Sequence, residues 1–165
     1  MTSTTLAPVP PVPRARRRLF APLLGLWRVA LLLLTVAVAS QPVTMGLYLS
    51  GRYPMVGLHG ALGSALAAIA LLVAALSVLY ALAGGRVWVV PVCLALFLAC
   101  GFQIGMGYAR NLALHLPLGV GILAAALLLT VWSWTRAASR VREPRRPVHE
   151  KRERSDLRPL RRAGS

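Results

Sequence analysis

Residues 87–135 read VWVVPVCLALFLACGFQIGMGYARNLALHLPLGVGILAAALLLTVWSWT, and Arg110 is the one charged side chain among them. Divided at that arginine, the stretch leaves two apolar runs, Val87–Ala109 and Asn111–Thr135. A helix needs about 20 predominantly apolar residues to cross the hydrocarbon of a bilayer, and each run is long enough. The same division works upstream. Val29–Gly51 and Tyr53–Gly85 also lack Asp, Glu, Lys and Arg, with Arg52 and Arg86 as the separators. The links that remain, Ser50–Pro54, Gly84–Arg86 and roughly Ala109–Asn111, are too short for anything but antiparallel neighbours. The expected fold is therefore all-α, an integral membrane bundle of four antiparallel helices.

Charge supports the same reading. The chain has 165 residues, 57% of them hydrophobic, and a net charge of +15. Of its 19 Lys and Arg, five lie at or before Arg28 and eleven at or after Arg136. All four acidic residues, Glu143, Glu150, Glu153 and Asp156, fall in the C-terminal tail. A nucleic-acid-binding domain spreads its cations over a folded surface, so charge confined to the ends argues against a nucleic-acid partner. By the positive-inside rule it places both termini in the cytoplasm of a multi-pass plasma-membrane protein, with Arg52 and Arg110 on the outer side. Arg28 lies close enough to the end of its span to snorkel to the headgroups.

Three segments follow. Residues 1–23 hold the Pro-rich run Ala7–Pro13 and the basic cluster Arg14–Arg18, and are expected to be a disordered cytoplasmic N-terminus. Residues 24–135 form the four-span bundle. Residues 136–165 are expected to be a disordered basic cytoplasmic tail, with too few apolar residues to bury. The tail either lies on anionic lipid or only sets topology. Ala37-Val38-Ala39 before Ser40 resembles a signal-cleavage site, but apolarity continues through Leu49, which suits a retained span. Cys93 and Cys100 both fall within the third span, where they are expected to be small packing residues.

No carboxylate or lysine lies within the spans to act as a base or proton relay, which leans against an enzyme. The informative polar residues are two histidines. His59-Gly-Ala-Leu-Gly63 aligns without gaps on His115-Leu-Pro-Leu-Gly119, and seven of the fifteen pairs from His59/His115 to Val73/Leu129 are identical. Upstream, Gln41 with Met45-Gly46 echoes Gln103 with Met106-Gly107. The chain thus reads as an internal repeat of two related helix hairpins, residues 24–83 and 87–135. Each hairpin supplies a Gln from its first helix and a His from its second.

Helices two and four are diagonal in such a bundle, roughly 11–14 Å apart if neighbours pack at the usual interaxial distance. That separation suits one metal held by an imidazole from each side. Gly63 and Gly119, one turn deeper than the histidines, are expected to leave room for a flat macrocycle. Arg52 and Arg110 are placed to meet two propionates. Gln41 and Gln103 read as hydrogen-bonding supports of the histidines, and Met45 and Met106 as core. Gly101-Phe-Gln-Ile-Gly105 is a small-xxx-small surface for close helix packing.

The hairpin pair, with Phe102-Gln-Ile-Gly-Met-Gly-Tyr108 leading to His115-Leu-Pro-Leu-Gly119, resembles one four-helix unit of the heme A synthase family. The resemblance covers roughly residues 26–135. It implies one b-type haem ligated by His59 and His115, and hence a role in electron transfer, haem handling or sensing with a redox or membrane-complex partner. It does not imply synthase activity. Only one unit is present, and the loop Ser50–Pro54 has neither the family's acidic residue nor its cysteine pair. The other reading is a cofactor-free membrane protein supporting a partner complex, its histidines merely bonding between helices.

Overall fold

A computed structural model describes residues 14–142, with the backbone alone at 14–17. Four long helices carry the fold: α1 (Arg14–Leu49), α2 (Met55–Leu82), α3 (Val89–Tyr108) and α4 (Leu112–Ser133). A single turn, α5 (Arg136–Ser139), follows. All four long helices are long and apolar enough to cross a membrane. Even the shortest, α3 with 20 residues, spans about 30 Å at the α-helical rise, the thickness of the hydrocarbon core. The protein is a small integral membrane protein, and its fold is the expected all-α bundle.

The helices close into a ring in chain order. α1 packs on α2, α2 on α3, α3 on α4, and α4 back on α1. This leaves α2 and α4 diagonal, as the short links require. The outer surface is a belt of large aliphatic side chains, among them Leu32, Leu33, Leu71, Leu72, Leu98, Leu127 and Leu128. Such a belt would be untenable in water but matches lipid tails. Exposed aromatic residues mark both rims, Tyr53 and Tyr108 at the end carrying the 50–54 and 109–111 links, Trp88 and Trp134 at the other. Aromatic belts of this kind sit at headgroup level. We call the first the histidine end and the second the tail end.

Packing differs sharply between the two halves. The tail half has a dense core built on Trp27, Leu31, Leu34, Val73, Tyr80, Val89, Cys93 and Ala126, all nearly or fully buried. Trp27 stacks on Tyr80 with ring centres 5.0 Å apart and planes 10° from parallel, and meets Trp132 edge-on. Cys93 and Cys100 are unpaired and buried in this core, the packing role expected of them. A hydroxyl pair, Thr35 and Thr130 at 2.8 Å, ties α1 to α4. Both hydroxyls also reach the Leu31 carbonyl, Thr35 at 2.9 Å and Thr130 at 3.3 Å.

Two expectations about the ends change. The first helix begins at Arg14, ten residues before the expected start of the bundle at 24. Arginine is a good helix former, and Pro22, in the third turn of α1, removes one backbone hydrogen bond without ending the helix. Nor is the chain from 136 a loose tail. Ala138 is fully buried, and its carbonyl accepts the Tyr80 hydroxyl at 2.7 Å. The Arg142 amide donates to the Gly84 carbonyl at 2.6 Å, and Val141 packs on the core. Arg28 does more than snorkel. Its guanidinium donates twice to the Ser133 carbonyl at the end of α4 and once to Ser139 Oγ, and lies over the Trp134 ring. A cation there satisfies a carbonyl that the helix terminus leaves unpaired. The folded unit therefore extends to Arg142. The expected disorder of residues 1–13 and 143–165 lies outside the described residues.

Candidate functional site

The histidine half is built differently from the tail half. None of Met55–Ala65, Gly101–Tyr108 or Leu112–Gly121 is buried, and on α1 beyond Val38 only Thr44 is. Glycine explains part of this. At Gly57, Gly60, Gly63, Gly101, Gly105 and Gly121 an added Cβ would meet nothing within 4 Å. The two hairpins are thus densely packed at the tail end and only loosely packed at the histidine end.

In this loosely packed half His59 and His115 come together, with ring centres 6.2 Å apart and planes at 52°. Each ring is anchored to the first helix of its own hairpin. His115 Nδ1 lies 3.0 Å from the Gln103 backbone carbonyl. His59 Nδ1 lies 3.3 Å from the Gln41 carbonyl and 3.2 Å from Thr44 Oγ1. A carbonyl can only accept, so Nδ1 is the protonated nitrogen in both rings. Thr44 agrees, because its own hydroxyl proton goes to the Gln41 carbonyl at 2.8 Å. The neutral rings therefore carry their lone pairs on Nε2, and neither Nε2 has a hydrogen-bond partner among the described residues. This is the tautomer and the anchoring that a metal-ligating histidine needs.

The matched glutamines serve through their backbones, which was not expected of them, and their side chains have diverged. Gln103 Nε2 donates to the His115 carbonyl at 2.8 Å, so this residue clasps His115 at two points. Gln41 Nε2 is buried with no partner, as is Gln103 Oε1. The glycines diverge too. Gly63 has open space beside it, whereas a Cβ at Gly119 would lie 2.8 Å from Gln103 Nε2. The room expected at Gly119 is already taken by the Gln103 amide. Gly107 lets the His115 ring approach α3, since a Cβ there would come within 3.1 Å of Cε1.

Arg52 and Arg110 stand exposed in the two links at this end, and neither side chain has a hydrogen bond or ion pair among the described residues. Arg110 takes a left-handed φ of 55°, and Asn111 Oδ1 caps α4 at the Leu114 amide. Met45 and Met106 are half-buried and lie outside the dense core. Sequence reasoning missed Thr44. A hydroxyl three residues after Gln41 was its only signal, and the second hairpin has Met106 in the matching place.

Among the described residues no three His, Cys, Asp or Glu side chains come together to hold a metal. The site offers two imidazole nitrogens and nothing else of that kind. No protein-family model, curated protein or solved structure matches this chain.

Proposed function

We propose that the protein binds one b-type haem between His59 and His115, and serves electron transfer, haem handling or sensing at the outer side of the plasma membrane. The observation that carries this reading is the facing pair of Nδ1-anchored imidazoles. Two imidazoles close together would share one metal at metal–nitrogen bonds of about 2 Å each. The rings stand at 6.2 Å.

The donor set narrows the choice of metal. Structural zinc asks for four protein ligands and catalytic zinc for three, so a two-imidazole site suits a metal that brings its own equatorial ligands. A macrocycle also needs lateral space, and the open space beside Gly63 is where it would lie. When bound, haem would supply a one-electron couple whose potential depends on its axial ligands and their hydrogen bonds. Gln41, Thr44 and Gln103 would hold the ring orientations and keep each Nε2 unprotonated. Arg52 and Arg110 would meet the propionates from the links. The resemblance of the second hairpin to the heme A synthase family agrees with this reading. The outward placement of the site rests on the positive-inside rule, with both basic termini cytoplasmic and open to anionic lipid.

The test is an absorbance spectrum of protein purified in mild detergent from cells supplied with haem precursor. We expect an intense Soret band and low-spin b-type bands on reduction. His59→Ala and His115→Ala should each abolish the low-spin spectrum, while His149→Ala should leave it unchanged. Folded, colourless protein that ignores both histidine substitutions would refute the haem reading and favour the cofactor-free one.

A further inference from the structure

At the tail end, on the opposite side of the bundle from the histidines, a cleft of about 350 Å³ opens between α2 and the start of α3. Its walls are apolar, formed by Val78 and Leu82 of α2, Val87 of the link, and Val90 and Pro91 of α3. Its one charged wall residue is Arg142. We infer that this cleft is a binding site for a single anionic phospholipid, with an acyl chain along α2 and α3 and the phosphate on Arg142.

Three observations point there. Val78, Leu82 and Val87 are 41%, 69% and 49% exposed on a surface that faces lipid, so hydrocarbon and not water is the natural filling of the cleft. The depth is right for a headgroup, since exposed Trp88 stands in the same link and marks the interface. The arginine is delivered by the fold: the Arg142 amide is pinned to the Gly84 carbonyl, which holds the residue over the α2–α3 link. Arg86 crosses the same junction, its Nε donating to the Ala137 carbonyl at 3.3 Å. Arginine at an apolar groove matches a phosphodiester, whose paired oxygens accept from its planar fork. The site is separate from the haem proposal, and neither depends on the other.

Native mass spectrometry tests it on the full chain, ejected from nanodiscs made of equal parts dioleoylphosphatidylglycerol and dioleoylphosphatidylcholine. One retained phosphatidylglycerol is expected in preference to phosphatidylcholine. Arg142→Gln should lower that preference by about fivefold, the worth of one arginine at an anionic surface. Val78→Phe, a change on the lipid-facing wall, should reduce retention of both lipids by filling the cleft. Equal retention of the two lipids by the unaltered protein would overturn the proposal. So would wild-type preference in Arg142→Gln, or undiminished retention in Val78→Phe, with helicity confirming that each variant is folded.

Discussion

Gly63 and Gly119 are the same residue of the repeat, and replacing each by alanine should have opposite effects. At Gly63 an added methyl meets nothing within 4 Å. Alanine there should be neutral or stabilising, by up to about 1 kcal/mol from helix propensity. At Gly119 the methyl would stand 2.8 Å from Gln103 Nε2, and the amide must move away. The amide is the end of a flexible side chain, so the main loss is its bond to the His115 carbonyl. Interhelical hydrogen bonds in membranes average about 0.6 kcal/mol and reach about 1.7. Offsetting the propensity gain, Gly119→Ala should come out about 1 kcal/mol less stable than Gly63→Ala. Steric trapping or denaturant titration in mixed micelles measures the difference. A double-mutant cycle isolates the cause, because with Gln103→Ala already present the Gly119→Ala cost should vanish. An undiminished cost in that background, or Gly63→Ala being the more damaging change, would refute the reasoning. Gly63→Leu supplies the functional half of the contrast. It should leave the haem-free bundle stable yet lower haem loading, since its side chain enters the open space beside Gly63.

The remaining expectations concern the ends. A chain stopped after Arg142 should unfold like the full protein, whereas one stopped after Thr135 should lose at least about 2 kcal/mol, because the Tyr80 hydroxyl is left buried without its acceptor. Arg28→Gln should cost about 1–3 kcal/mol by removing a charged donor from the last carbonyl of α4, measured in the same titration. Reporter fusions at the two termini should read the same, cytoplasmic side, and cysteines placed beside Arg52 and Arg110 should be labelled from outside. Termini on opposite sides would contradict four crossings.

Much of this protein is legible in its residues. Four uncharged runs divided by single arginines determine four spanning helices, because lipid admits no unpaired backbone and only a helix satisfies its own. Links of a few residues then determine antiparallel neighbours, and the ring order of the helices follows. The histidine repeat could also be read, since a polar residue within a span is costly enough to stand out. Tertiary structure alone decided three things. Whether Ala138 and Arg142 belonged to the fold depended on a buried Tyr80 hydroxyl and a free Gly84 carbonyl, partners far away in sequence. That the glutamines would hold the histidines by their backbone carbonyls was hidden, because a sequence reports side chains and every residue has a carbonyl. Gly63 and Gly119 parted company because the neighbour that fills the space, the Gln103 amide, sits on another helix. Periodicity and charge set which segments enter the membrane. Contacts between segments set what each residue does there.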